Sequence, residues 1–370
     1  MRRVYVAPFI PGWQAIAALP STTSAALVGE FSIRLGNHQG TAADLSPQGP
    51  VAEPRICLAP LCPIRFRRYA AAMIKLPAWV VAIVLASLAA PLAAAPAALA
   101  NDPPAGVAKP AAMDALQILS GDAAMNAIVY TPGGTGPHPA LVLFHGFPGN
   151  EQNLDLAQAA RRAGFVVLTL HYRGSWGSPG TFSFANAAAD GANAVDWLMA
   201  PAQSARYQID PRQVSLAGHS MGAFVAMRTA AARPLVRSLL LIDAWNIGDE
   251  PLAGLRAPGG REKWISSNAG NVRPLATTAA ALADEVLANG AAFDLRGNAA
   301  ALASRPVLII AAEKANAPSN RRISESLEGA GSKCNKLIVM PTDHGFNDHR
   351  IALISASLEW LEQFKPAAPR

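Results

Sequence analysis

The first chemistry this chain offers is an activated serine. Val214-Ser215-Leu216-Ala217 reads as an apolar strand, Gly218-His219-Ser220-Met221-Gly222 as a Gly-x-Ser-x-Gly turn, and Ala223 to Arg228 as the start of a helix. Between a strand and a helix such a turn is sharp enough to stand the serine Oγ above a sheet. Its glycines are physical requirements, because a Cβ at Gly218 or Gly222 would run into the neighbouring strand and helix. A hydroxyl is a poor nucleophile until a base takes its proton and a third group orients that base.

Six histidines follow residue 100, at positions 138, 145, 171, 219, 344 and 349. His219 occupies the variable position of the turn, pointing away from the serine side chain. His138 lies in a Pro-His-Pro turn, and His171 ends a strand well before the nucleophile. His344, in Met340-Pro341-Thr342-Asp343-His344-Gly345-Phe346, follows the last strand. In a parallel sheet the strand C-terminal ends share one edge, so that loop reaches the serine, and the order serine then histidine fits a hydrolase of this type. Two backbone N–H groups aimed at one point would stabilise the oxyanion. Met221, at the helix start, supplies one. The loop His145-Gly146-Phe147-Pro148-Gly149 supplies the other from Phe147, since Pro148 has no N–H.

The elements that must position these groups are short Val-, Leu- and Ile-rich runs alternating with helical stretches. Strands are expected at 140–144, 165–170, 214–217, 238–242, 307–311 and 337–340. Helices are expected at 154–163, 186–199, after Ser220, at 320–329 and at 349–364. Strands apolar on both faces imply a sheet covered on both sides, hence parallel strands with helical crossovers. The fold class is therefore α/β, one doubly wound and mostly parallel sheet. The spacing breaks once: 244–305 separates two consecutive core strands where a short crossover would do. This insertion carries Trp245, Trp264 and an Ala-rich helix near 277–289, and reads either as a small helical cap over the serine or as a crossover with long loops.

The His-Gly-Phe-Pro-Gly loop, Tyr172-Arg173-Gly174-Ser175-Trp176-Gly177-Ser178, the Gly-His-Ser-Met-Gly turn and the terminal Asp-His-Gly-Phe together resemble the α/β-hydrolase superfamily, in particular its dienelactone-hydrolase-like and prolyl-oligopeptidase-like catalytic domains. The resemblance spans 123–364. It implies Ser220 as nucleophile, His344 as base, and Phe147 and Met221 as oxyanion donors. It also exposes a departure: the superfamily usually places its acid as an Asp in the turn after the penultimate strand, and that position falls at Ala315. Glu313, two residues earlier, and Asp243, at the end of the earlier strand Leu240-Leu241-Ile242, both remain open as the acid. Without either, the scaffold would suit a non-catalytic ligand-binding protein. With one, the expectation is an exported serine hydrolase, carboxylesterase-like ahead of peptidase, cleaving a small-molecule ester or amide through an acyl-enzyme. Asp343, His344, Asp348 and His349 do not match zinc spacings such as His-Glu-x-x-His, so neither a metal nor a cofactor is expected.

The chain has 370 residues, 51% of them hydrophobic, enough for a large core. From Met73 one Lys75 precedes a continuously apolar run, and Ala98-Leu99-Ala100 then Asn101-Asp102-Pro103-Pro104 follow, the three parts of a secretory signal peptide. The run stops at Pro91, short of the ~20 residues that a spanning helix needs. The expected organisation is a non-native or disordered extension at 1–72, with Met73 the true start, a signal peptide at 73–100 and the hydrolase domain at 101–370. Location would be periplasmic or secreted, with membrane contact only through an uncleaved signal. The first hundred residues hold 8 basic and 3 acidic residues, so the formal charge of +6 shrinks to about +1 in the remainder. No basic stretch interleaved with aromatics suggests nucleic acid. Cys57 and Cys62 precede the expected cleavage point, leaving Cys334 alone in a polar loop and no internal disulfide.

Overall fold

The computed structural model describes residues 96–103 and 106–365. The expectations for 1–72 and for 73–95 lie outside the described residues.

A hairpin that the apolar-run reading passes over begins the sheet: β1 (Ala112–Ser120) and β2 (Ala123–Thr131) pair antiparallel. Gly121, at φ +61°, takes the first place of their two-residue turn, where a hairpin of this hand needs positive φ. Then come β3 (His138–Phe144), β4 (Val166–Leu170), β5 (Ile209–His219), β6 (Ser238–Ile242), β7 (Val307–Ala312) and β8 (Asn335–Met340). The spatial order is β1-β2-β4-β3-β5-β6-β7-β8. All pairs from β4 to β8 are parallel, and β2 joins β4 antiparallel. His138 is the first residue of β3 rather than part of a turn, its N–H donating to the Gln208 carbonyl.

Every residue of β3, β4, β6 and β7 is buried, as strands covered on both faces must be. Alternate side chains supply two cores: Leu141, Leu143, Leu240 and Leu308 face one side, Val142, Phe144, Leu241 and Ile309 the other. Each such side chain contributes ~1.5–3 kcal/mol by leaving water.

The first core is covered by α1 (Ala97–Ala100), α2 (Leu154–Arg162) and, from the end of the chain, Arg350–Glu362. The second core lies under α3 (Phe184–Met199), which is followed by α4 (Pro201–Tyr207), and under α5 (Met221–Ala232). Ser183 caps α3 by accepting the Asn186 N–H at 3.0 Å. The insertion is helical: α6 (Glu250–Arg256), α7 (Gly260–Asn268), α8 (Ala279–Asn289), a 3₁₀ turn at Leu295–Asn298 and α9 (Ala299–Leu302). It docks against the loop after β4, with Ala276 N–H donating to Gly174 O (2.7 Å) and Phe182 N–H to Ala276 O (3.2 Å). Glu285 of α8 accepts the Phe184 and Ala185 N–H groups at the α3 N-terminus (2.9 and 2.8 Å). The remaining helices are α10 (Ala317–Gly329) and α11 (Arg350–Glu362).

Candidate active site

Ser220 leaves β5 at φ 57° and ψ −119°, a conformation that costs a non-glycine residue energy and persists only where its surroundings impose it. Its N–H donates to Ile242 O (2.9 Å) and its carbonyl accepts the Trp245 N–H (3.1 Å), tying the turn to the end of β6. The flanking glycines have no alternative. A Cβ on Gly218 would lie 2.1 Å from Gly222 O, and one on Gly222 2.1 Å from Phe144 O.

His344 follows β8, and the structure brings Asp243 to it. Asp243 leaves β6 at φ 39°, is wholly buried, and sets Oδ2 2.5 Å from His344 Nδ1. Its Oδ1 accepts the Ala312 N–H at 2.9 Å, and the Asn316 N–H lies 3.4 Å from Oδ2. Both oxygens face donors, so this carboxylate accepts the ring Nδ1–H and leaves Nε2 as the basic nitrogen. Asn316 Nδ2 donates to the Asp243 carbonyl (3.1 Å) and passes 3.4 Å from His344 Nδ1, wedged between the two from the turn after β7. The other carboxylate held open in the sequence, Glu313, is exposed and has no hydrogen bond to His344. The turn that carries Glu313 brings Ala315 and Asn316 to the cavity instead.

Sequence reasoning set His219 aside as pointing away from the serine side chain, and the structure gives it a place beside His344. It is buried, its ring centroid lies 4.6 Å from that of His344, and its Nε2 is 2.8 Å from the His344 carbonyl. Burial, with the nearby His344 ring adding to it, lowers its pKa to about 4, so the neutral ring donates Nε2–H to that carbonyl. Arg350 adds a donor to Gly345 O (3.1 Å) and an ion pair with Asp155 on α2. The histidine loop is thus held from below and from the side.

Phe147 and Met221 flank the serine. Gly146 lets the first loop approach, since a Cβ there would lie 3.1 Å from Ser220 Cβ. Among the described residues, no protein acceptor takes the N–H of Phe147 or of Met221. Their loop is pinned by the Tyr172 to Trp176 segment. Tyr172 OH donates to His145 O (3.1 Å) and Trp176 Nε1 to Pro148 O (2.8 Å). His145 is buried, its pKa pushed down to about 4 by desolvation, and its Nδ1 lies 2.7 Å from Gly146 O.

Ser220, His344, Phe147, Trp245, Asn268, Asn271, Ala315 and Asn316 line one cavity of about 270 Å³. The insertion supplies Trp245, Asn268 and Asn271 to its lining. Among the described residues no three His, Cys, Asp or Glu side chains converge as metal ligands would. Asp343 binds Asn347, and Asp348 binds Thr342 and the His349 ring.

Residues 141–356 match the model of the alpha/beta hydrolase family. Over 106 residues the chain is 37% identical to an uncharacterized protein of Mycobacterium tuberculosis H37Rv, covering 28% of this chain and 35% of that protein. The chain thus spans about a third of the length of the curated relatives it matches. Among solved structures, Est1E from Butyrivibrio proteoclasticus superposes with a TM-score of 0.52 at 18% identity, over 68% of this chain and 98% of that one. An esterase of Pyrobaculum calidifontis gives 0.52 at 20% identity, over 72% and 88%. Acylaminoacyl peptidase of Pyrococcus horikoshii gives 0.53 at 14%, over 69% of this chain and 42% of that one. At these identities the likeness is one of fold.

Proposed function

This chain belongs to the alpha/beta hydrolase family, and on that premise we propose that it is an exported serine hydrolase that cleaves a carboxylic ester of a small molecule through an acyl-enzyme. The observation that carries the reading is the pairing of buried Asp243 with His344, Oδ2 2.5 Å from Nδ1, where His344 lines the same cavity as Ser220.

In the mechanism that follows, His344 Nε2 takes the proton of Ser220 Oγ as the oxygen attacks the ester carbonyl. Asp243 keeps the ring in the required tautomer and stabilises the imidazolium. The N–H groups of Phe147 and Met221 hold the oxyanion. As the intermediate collapses, the C–O bond to the alcohol breaks and the alcohol leaves with the proton from His344. Water, deprotonated by the same nitrogen, then attacks the acyl carbon, and the acid departs as Ser220 recovers its proton. The ester reading draws support from the esterases among the structural neighbours, and the peptidase among them keeps an amide as the second substrate bond. The ligand-binding alternative rests on a missing acid, and Asp243 beside His344 speaks for the hydrolase reading against it.

A fluorophosphonate adduct on the wild type, read by intact mass and lost in Ser220→Ala and His344→Ala, is the expected result. No adduct, together with no hydrolysis of p-nitrophenyl acetate, would overturn the proposal. Export has its own test. Cleavage after Ala100 would release α1, whose Ala98 is buried and accepts the Arg162 Nε–H at 2.6 Å. N-terminal sequencing of the expressed protein should read from Asn101; a chain retaining Met73 would sink the cleaved signal.

A further inference from the structure

The cavity has two unlike walls. Phe147 and Trp245 present half-buried rings to it, centroids 6.0 Å apart. The buried rings of Phe182 and Phe184 stand behind them, Phe184 edge-on to Trp245 at 5.7 Å. Interlocked aromatics of this kind make a fixed apolar surface.

The other wall, Asn268 and Asn271 of the insertion, is built of carboxamides. Asn268 Nδ2 donates to Trp264 O (2.9 Å), and Asn271 Nδ2 donates to Asn268 Oδ1 (3.1 Å). Asn268 is half-buried and Asn271 exposed; each amide keeps a second N–H, and among the described residues no protein donor bonds Asn271 Oδ1. Together they offer both a donor and an acceptor. Asn316 is committed to Asp243. None of the lining residues carries a fixed charge. An ionised group held here would find no fixed counter-charge in the lining. At about 270 Å³ the space lies at the small end of ligand pockets.

We propose that the substrate is an uncharged ester with an apolar limb against Phe147 and Trp245 and, on the other limb, a hydroxyl or amide group bonded by Asn268 and Asn271. This inference rests on the serine-hydrolase reading above and refines its substrate class.

Two matched pairs of esters test it, one for each limb: p-nitrophenyl 3-hydroxybutyrate against p-nitrophenyl butyrate, and glyceryl monobutyrate against propyl butyrate. For at least one pair the wild type should favour the hydroxylated member in kcat/KM. In the double variant Asn268→Leu, Asn271→Leu that ratio should fall about five- to tenfold, the effect of one or two hydrogen bonds. The anionic p-nitrophenyl hemisuccinate should be the poorest of the p-nitrophenyl series. Ser220-dependent hydrolysis of the plain esters, with ratios near one in both the wild type and the double variant, would overturn the inference and leave the parent reading intact. No hydrolysis of any ester and no fluorophosphonate adduct would remove the parent reading, and this inference with it.

Discussion

Replacing Asp243 by Asn would keep the shape of the side chain but place an amide where three donors, Ala312 N–H, Asn316 N–H and His344 Nδ1–H, converge. The ring would then lose its tautomer, and kcat for an activated ester should fall about 10³–10⁴-fold. Glu313→Gln, on an exposed turn, should leave kcat within twofold of wild type. The reverse ranking in a steady-state assay would make Glu313 the acid. His219→Phe keeps a ring against His344 but removes the donor to its carbonyl. About tenfold in kcat with little change in KM is the expected loss, because His344 is displaced and the pocket is not. An unchanged kcat would deny His219 its positioning role. Ser220 and His344 are legible in the sequence because each sits in a local pattern with a mechanical reason. The acid is not, because two carboxylates follow neighbouring strands and only the packing of β6 beside β7 decides which one meets the ring.

Among the elements, α8 of the insertion carries Glu285, which satisfies two N–H groups at the first turn of α3. Those N–H groups belong to Phe184 and its neighbour, and Phe184 backs Trp245 at the cavity. Glu285→Ala should therefore cost about 1–2 kcal/mol of stability and raise KM more than it lowers kcat. Thermal melts and Michaelis parameters measured on the same preparation check both. A stability loss with KM unmoved would mean that the insertion braces α3 without shaping the pocket. The parallel strands are readable as elements because burial on both faces leaves continuous apolar runs. The β1–β2 hairpin escapes that reading. β1 carries Asp114 and Gln117 and is largely exposed, and β2 alternates buried and half-buried residues through Ala and Asn. Such strands show a weak period of two rather than a run.

For the molecule as a whole, buried neutral histidines set an acid limit. His145 and His219 are held near a pKa of about 4, mainly by desolvation, against an ordinary value of 6.5. Between pH 6.5 and 4 the unfolded chain takes up protons that the folded one refuses. Stability is therefore complete above pH 6.5 and falls as the pH drops, by up to about 1.4 kcal/mol per unit for each histidine. Urea midpoints should decline from pH 7 to pH 5, with a shallower decline in His145→Gln; equal slopes would locate the acid sensitivity elsewhere. The sequence alone determined the α/β class and singled out the Ser220 turn, His344 and the Phe147 loop, since strand periodicity, glycine sterics and the shared edge of parallel strands are local or topological facts. Only the tertiary structure decided that Asp243 rather than Glu313 meets His344, that His219 supports the histidine loop, and that a helical insertion turns two asparagines toward the serine. Those outcomes depend on side chains more than forty residues apart in sequence meeting in space, and no local pattern encodes such distances.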